Sequence, residues 1–267
     1  LEEFDVIVIG GGMIGLAFTL ELSRKKNFKI AIIEANECNP KVSSSFHTRV
    51  SAITPSSKDF LSSINVWDDI KRKQGFVATK VWDQNSHGSI NFYAKDEGIE
   101  HLGFIVENDL IQSALYNAID QTKVQVIHAK LNDLIKTDFG YQITLDNDQS
   151  FLCKLVVGAD GPKSKVRSLA GIEVSSHDYQ QKAIIANIVS DKSLESTTWQ
   201  RFLSDSILAL LPLSKNQASI VWSCKANLAD ELEELDINKF NQSLSEAAEY
   251  RFGNLKLQSS RNIFPLV

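Results

Sequence analysis

The sequence predicts an α/β fold: a parallel sheet near the N-terminus, joined by a second region of antiparallel strands. Three observations carry this. An apolar, β-branched run of strand length, Phe4–Ile9, leads directly into Gly10-Gly11-Gly12-Met13-Ile14-Gly15. A helix-forming stretch, Leu16–Leu22, and a second apolar run, Lys29–Ile33, follow at once, which is the strand–helix–strand pattern of a parallel sheet. Much later, Ala183–Val189, Ser206–Leu213 and Ala218–Trp222 read as short strands with no helix between them, the mark of an antiparallel sheet.

The first of these units ends in an acid, Glu34. Strand, glycine turn, helix, strand, acid is the dinucleotide-binding arrangement, and each glycine has a separate job. Gly10 permits the tight turn out of the strand, Gly12 lets a pyrophosphate approach bare backbone, and Gly15 lets the helix pack close to the sheet. The helix N-terminus offers free N–H groups and positive dipole to the phosphates. A carboxylate at Glu34 accepts both hydrogen bonds of an adenosine ribose diol and repels a 2′-phosphate, so FAD or NAD fits this turn better than NADP.

A chain of 267 residues exceeds what one small core needs, so one large or two modest domains are expected. A net charge of −5 with mixed acids and bases argues against nucleic acid as a partner. Cys38, Cys153 and Cys224 are odd in number and far apart, and the five histidines show no ligand spacing; a reducing, cytoplasmic compartment fits and a metal site does not. No apolar run is long enough to cross a bilayer and no signal peptide is visible. The chain starts at Leu1 rather than Met, which reads as a trimmed start.

Between the two regions the reading is as follows. Asn36–Ser45 is a polar loop; Pro55–Lys73 is one helix, with Thr54 at its cap and Pro55 at its first position. Val77–Trp82 and Ser89–Tyr93 form a hairpin about Asn85 and Gly88, Asp109–Ile119 is an amphipathic helix, and Val124–Leu131, Tyr141–Leu145 and Phe151–Val157 are strands. The last strand feeds Gly158-Ala159-Asp160-Gly161-Pro162-Lys163-Ser164-Lys165-Val166-Arg167, in which Pro162 suits a helix's first turn and Asp160 lies at a strand's carboxyl end, where doubly wound sheets bind ligands. Asp236 caps a helix closed by Gly253, and the acidic run Asp230–Asp236 reads as a solvated helix face.

Taken together, the glycine turn with Glu34, the Arg49 segment and the Gly158–Arg167 stretch resemble the flavin-dependent aromatic hydroxylases, whose so-called DG motif the last stretch matches. Arg49-Val50-Ser51-Ala52-Ile53, Val81-Trp82-Asp83 with His101–Asn108, and Leu211-Pro212-Leu213 with Ile220–Ser223 resemble one branch, the hydroxylases of ubiquinone biosynthesis. The resemblance implies a Rossmann-like FAD-binding domain of glutathione-reductase type, 1–74 and 100–174, with an inserted antiparallel-sheet substrate domain, 75–99 and 175–267. It implies an FAD-dependent monooxygenase that uses NAD(P)H and O2 to hydroxylate a polyprenyl phenol. Such a substrate brings contact with a membrane surface, and assembly with other quinone-biosynthesis proteins is a further expectation.

Motifs and resemblance give one cofactor-binding set: Gly10, Gly12, Met13, Ile14, Gly15, Glu34, Arg49, Asn108, Leu131, Asp160 and Gly161. Arg49 would reach phosphate oxygens as a fork donor, although relatives place an acid where this chain has His47. Asn108 is a cofactor contact or a plain helix cap, and Arg167 pairs with Asp160 or with another surface acid; both choices stay open. Trp82, Trp199, Phe202 and Trp222, with Phe92, are either a flat wall for an aromatic substrate or ordinary sheet core. No catalytic side chain is assigned, because the cofactor carries the chemistry.

The family's third cofactor motif, a Gly-Asp pair followed by a proline- and glycine-rich stretch, has no counterpart here; the chain reaches Ile263-Phe264-Pro265-Leu266 and stops at Val267. This reads as C-terminal truncation, with FAD bound weakly or absent and the fragment inactive. The alternatives are another FAD-dependent oxidoreductase, such as a dehydrogenase or prenyl reductase, and a non-catalytic scaffold subunit of a quinone-biosynthesis complex.

Overall fold

The computed structural model describes residues 1–25, 27–36 and 38–267. The chain runs β1 (Glu2–Ile9), α1 (Met13–Lys25), β2 (Ile30–Glu34), β3 (Val50–Ile53), α2 (Pro55–Ser63), β4 (Gln74–Phe76), β5 (Ala78–Asp83), β6 (Ser89–Tyr93), β7 (Gly103–Glu107), α3 (Asn108–Ala118), β8 (Val124–His128) and β9 (Leu131–Thr137). It continues through β10 (Gly140–Leu145), β11 (Ser150–Gly158), α4 (Lys165–Leu169), β12 (Gln181–Ser190), β13 (Thr197–Phe202), β14 (Ser206–Pro212), β15 (Gln217–Lys225), α5 (Ala226–Glu234), α6 (Ile237–Ala247), β16 (Leu255–Leu257) and β17 (Asn262–Leu266).

Two compact units emerge. The first comprises residues 1–42, 60–70 and 109–175; the second comprises 43–59, 71–108 and 176–267. Segments 43–59, 71–74 and 100–108, grouped by sequence with the cofactor domain, fall in the second unit. The reason is strand pairing: β3 and β4 flank β7 in a small antiparallel sheet, β3-β7-β4, which ties them together.

In the first unit a six-stranded sheet has the order β8-β2-β1-β11-β10-β9. β8, β2, β1 and β11 are parallel neighbours, while β10 and β9 add an antiparallel margin. β1 and β2 are apolar without alternation because both faces are covered; Ile7, Val8, Ala31 and Ile32 are fully buried. Helix α1 buries Gly15, Leu16, Thr19 and Leu20 against this sheet.

In the second unit a larger sheet has the order β16-β12-β15-β14-β13-β5-β6, and β17 also pairs with β12. β13 and β5 run parallel, and the other neighbours antiparallel. β14 alternates buried and half-buried residues along its length, and α5 and α6 supply Leu232, Phe240 and Leu244 to the same core.

Several sequence expectations need correction. The helix expected over 55–73 ends at Ser63, because Asn65 takes a left-handed φ of 60° and the chain restarts as a single 3₁₀ turn, Trp67–Asp69. The strand expected over 124–131 is two: β8 ends at His128 and β9 begins at Leu131, and the two strands are the first and last in the sheet's hydrogen-bonded order. α4 begins at Lys165 with Ser164 as its cap, leaving Pro162 in the preceding turn. α6 ends at Ala247, well before Gly253, although Asp236 does cap it, accepting from the Asn238 and Lys239 amides. Part of the acidic run, Asp230–Glu234, is the end of α5.

Candidate nucleotide-binding site

The parallel pairing of β1 with β11 extends to Ile9 and Gly158, so the two glycine-containing turns leave the sheet side by side. The Ala159 amide donates to the Ile9 carbonyl at 2.7 Å, and the Gly10 amide donates to Ile33 at 2.8 Å. Gly10 has φ +109°, and a Cβ there would lie 2.3 Å from the Ala159 carbonyl oxygen. Only glycine satisfies both constraints. A Cβ on Gly15 would meet the Gly10 carbonyl oxygen at 1.9 Å, so α1 starts directly against the turn. Gly12 is different: nothing lies within 4 Å of where its Cβ would be. Its bareness serves no internal contact and leaves backbone open to solvent.

A crevice of about 640 Å³ opens at this point, lined by Gly10, Gly12, Glu34, Leu131, Asp160 and Gly161, all expected from sequence. Ala35, Asn36, Ala129, Lys130, Lys163 and Lys165 line it too and were not expected. Met13 and Ile14 form the first turn of α1, with Ile14 exposed. The charges are sorted in kind: Glu34 closes β2, while the three lysines supply positive charge for an anion. Lysines beside an acid at a turn are a legible signal, but sequence alone does not say that 130 and 163 line one crevice.

Glu34 is already engaged. Its Oε2 accepts the Gly11 amide at 2.7 Å, and its Oε1 accepts the Asn36 amide at 2.9 Å and the Asn36 side chain at 3.3 Å. Gly11 therefore matters as well as Gly10; a Cβ on it would sit 2.6 Å from the Cys38 sulfur. From α3, Gln112 Nε2 donates to the carbonyls of Gly11 and Cys38, both at 3.1 Å. Nothing local in the sequence announces that tie. Burial, and then the Glu34 charge, push the Cys38 thiol up to about 11, so it is a protonated packing residue and not a nucleophile.

Asp160 lines the crevice, yet its carboxylate serves α4: it accepts from Ser164 Oγ at 2.5 Å, the Lys165 amide at 2.6 Å and the Val166 amide at 3.2 Å. Arg167 pairs with no acid among the described residues; its guanidinium donates to the Pro162 carbonyl at 2.7 Å, which settles that alternative against both expected partners.

Arg49 and Asn108 belong to the second unit. The Arg49 guanidinium is exposed and makes no hydrogen bond or ion pair among the described residues. Asn108 opens α3; its amide donates to the Arg49 carbonyl at 3.0 Å and its Oδ1 accepts from Ser51 Oγ at 2.7 Å. The tryptophans pack inward. Trp82, Trp199 and Trp222 are buried, and their indole N–H groups donate to Glu249, the Leu194 carbonyl and Ser206. Phe202 and Phe92 expose part of their rings.

A family model described as an FAD-binding domain matches residues 3–263. The chain belongs to that FAD-binding family. Among curated proteins it is similar to the human ubiquinone biosynthesis monooxygenase COQ6, mitochondrial, with 34% identity over 263 residues, 91% of this chain and 56% of that protein. It is similar to the 3-demethoxyubiquinol 3-hydroxylase of Escherichia coli K12, with 30% identity over 258 residues, 94% of this chain and 65% of that protein. The chain thus spans between half and two thirds of the length of these relatives. Among solved structures, Pseudomonas aeruginosa PqsL in complex with 2-aminobenzoylacetate superposes with a TM-score of 0.77 at 15% identity, covering 97% of this chain and 74% of that one. Aklavinone-11 hydroxylase, in a ternary complex with FAD and aklavinone, gives 0.74 at 14%, covering 100% and 54%. At those identities the likeness establishes the shared fold.

Proposed function

We propose that the chain binds the adenosine diphosphate half of FAD as part of a monooxygenase that hydroxylates the ring of a polyprenyl phenol in ubiquinone biosynthesis, with NAD(P)H and O2 as co-substrates. The observation that carries the cofactor reading is the close packing of Gly10 on Ala159, which gathers both cofactor motifs and Glu34 around one crevice. The reaction and substrate class rest on the two curated relatives, similar over more than nine tenths of the chain.

The residues present fit the cofactor. Gly12 leaves backbone open for a pyrophosphate. A carboxylate offers about four acceptor positions, and Glu34 uses three, leaving room for a ribose hydroxyl, with a second gained if the Asn36 side chain turns away. The lysines at 130, 163 and 165 balance phosphate charge. Bound FAD, reduced by NAD(P)H, supplies the redox chemistry that transfers one oxygen atom of O2 to an electron-rich ring. The protein's part is to hold the nucleotide and keep the turn rigid. The free, buried cysteines support a reducing compartment such as the cytoplasm, and a prenylated substrate calls for work at a membrane surface; no helix among the described residues is long and apolar enough to cross one.

The test uses the gene's full-length product with FAD, NADPH, a polyprenyl phenol in detergent, and ¹⁸O2. One ¹⁸O atom in the ring bears the proposal out. NADPH oxidation with no ring oxygen points to a dehydrogenase or prenyl reductase, and a colourless protein indifferent to FAD points to a scaffold role within a biosynthetic assembly; either outcome overturns it.

A further inference from the structure

Strand β6 is the outer strand of the large sheet in the second unit. On one side it pairs with β5, from Ser89 opposite Trp82 to Tyr93 opposite Ala78; on the other its backbone meets no partner among the described residues. A row of N–H and C=O groups is left there for solvent or for another strand. The side chains set this edge apart. Ile90 is 60% exposed and Phe92 is 55% exposed, and the two-residue period of a strand puts both on one face.

The other edges of the two large sheets are guarded. β9 carries Asp133 and Lys136, β16 is three residues long with Lys256 at its middle, and β17 holds Pro265. β8 keeps Val124 and Ile127 buried. Charge, proline and shortness are the means by which an edge strand refuses a second one. From Gln84 to Ala94 the chain has no Asp, Glu, Lys, Arg or Pro, so β6 has none of these guards.

We infer that β6 is an interface with a second copy of this chain, joined edge to edge in antiparallel fashion about Asn91. The strand is complementary to itself. With the two-fold axis at Asn91, Ile90 lies opposite Phe92 of the partner subunit and Phe92 opposite Ile90 of the partner subunit, all four on the apolar face. On the other face the two Asn91 amides meet, and each has both a donor and an acceptor to offer. Centring the pair on Ile90 or on Phe92 instead would set an apolar side chain opposite Gly88 or Ala94, which is a poorer match. Charge permits the approach: Lys80, which pairs with Asn91 across β5 and β6, has its ammonium 3.9 Å from the Glu195 carboxylate, so no bare like charges face each other at the axis. Five paired residues from each copy bury less than the roughly 1,200–2,000 Å² of a standard interface, so the dimer is weak, with Kd on the order of tens of micromolar.

Sedimentation velocity on the full chain, from about 1 to 300 µM, spans that range and should show mass rising from monomer towards dimer. Phe92→Lys should weaken association about tenfold or more, because the symmetric interface loses two apolar pairs and gains two ammonium groups. Ile90→Lys should do the same, and serves if Phe92→Lys folds poorly. Cross-linking reads the register. Asn91→Cys sets two thiols directly opposite one another, within disulfide reach, and should give a covalent dimer on mild oxidation. Ser89→Cys leaves its thiols four residues, about 13 Å, out of line and should not. The native cysteines are buried and do not compete. A chain that stays monomeric to the highest concentration overturns the inference, whether the edge stays bare or takes up a strand from a different protein. A dimer indifferent to both lysine variants, or Ser89→Cys cross-linking as fast as Asn91→Cys, also overturns it. The cofactor reading stands apart from every one of these outcomes.

Discussion

Glu34 and Gly11 are joined by a 2.7 Å hydrogen bond from the Gly11 amide to the Glu34 carboxylate, which bridges the end of the second strand and the middle of the glycine turn. The acid thus shapes the turn before any ribose arrives.

Replacing Glu34 by Ala should therefore act twice. ADP affinity should fall by about tenfold to a hundredfold as charge-assisted hydrogen bonds are lost. Exchange of the Gly11 and Asn36 amides should quicken even without ligand. Calorimetric titration and hydrogen exchange read the two effects separately.

Gly10 and Gly12, two residues apart, should separate stability from binding. Gly10→Ala forces a Cβ into the Ala159 backbone at a left-handed φ and should destabilise the fold by about 3 kcal/mol or more. Gly12→Ala meets nothing and should leave the denaturation midpoint within about 0.5 kcal/mol of wild type, while weakening ADP at least tenfold as the methyl blocks phosphate approach. Urea denaturation alongside titration checks both.

Asp160→Ala should fray α4. The carboxylate accepts from Ser164, Lys165 and Val166, and its removal should cost about 1–2 kcal/mol, seen as faster exchange at 165–167. Ser164→Ala, which deletes the hydroxyl partner and the cap on the Arg167 amide, should reproduce part of this.

Stability should fall at both ends of the pH scale. Cys38, Cys153 and Cys224 are pushed up to about 11, chiefly by burial. An unfolded thiol ionises near 8.5 to 9, so the unfolded state sheds protons first and stability is lost between about pH 9 and pH 11. Asp5, held low first by the Lys154 ammonium, and Asp191, held low first by the Asn254 amide, contribute stability above the ordinary carboxylate range that is lost as pH falls through their depressed values. Thermal melts across pH trace both limbs. A thiol reagent at pH 8 should find no reactive cysteine in the native chain and all three after denaturation.

The first forty residues were legible because their information is local: an apolar run, four glycines and an acid fix strand, turn and strand without help from elsewhere. The β5–β6 hairpin and the Asp236 cap were legible for the same reason. The end of α2 was not, since its apolar spacing continues through Ile64 and Ile70, both buried, while the backbone turns at Asn65. β7 escaped notice as a strand, although it is the axis of the small sheet. Gln112 on Gly11 and Arg72 on Glu107 were invisible because they join residues far apart in the chain, and a polar side chain carries no periodic mark of its partner.

The register of β1 on β11 sets residue 2 beside residue 151. A chain emerging from the ribosome must therefore carry its first strand, with one side unmatched, through all the intervening synthesis, including segments that settle in the other unit. The glycine turn acquires its rigid backing only when Ala159 arrives. Nucleotide can consequently stabilise this protein late in its biogenesis but cannot template its start, and an exposed Val-Ile-rich strand waiting that long is a natural client for a chaperone.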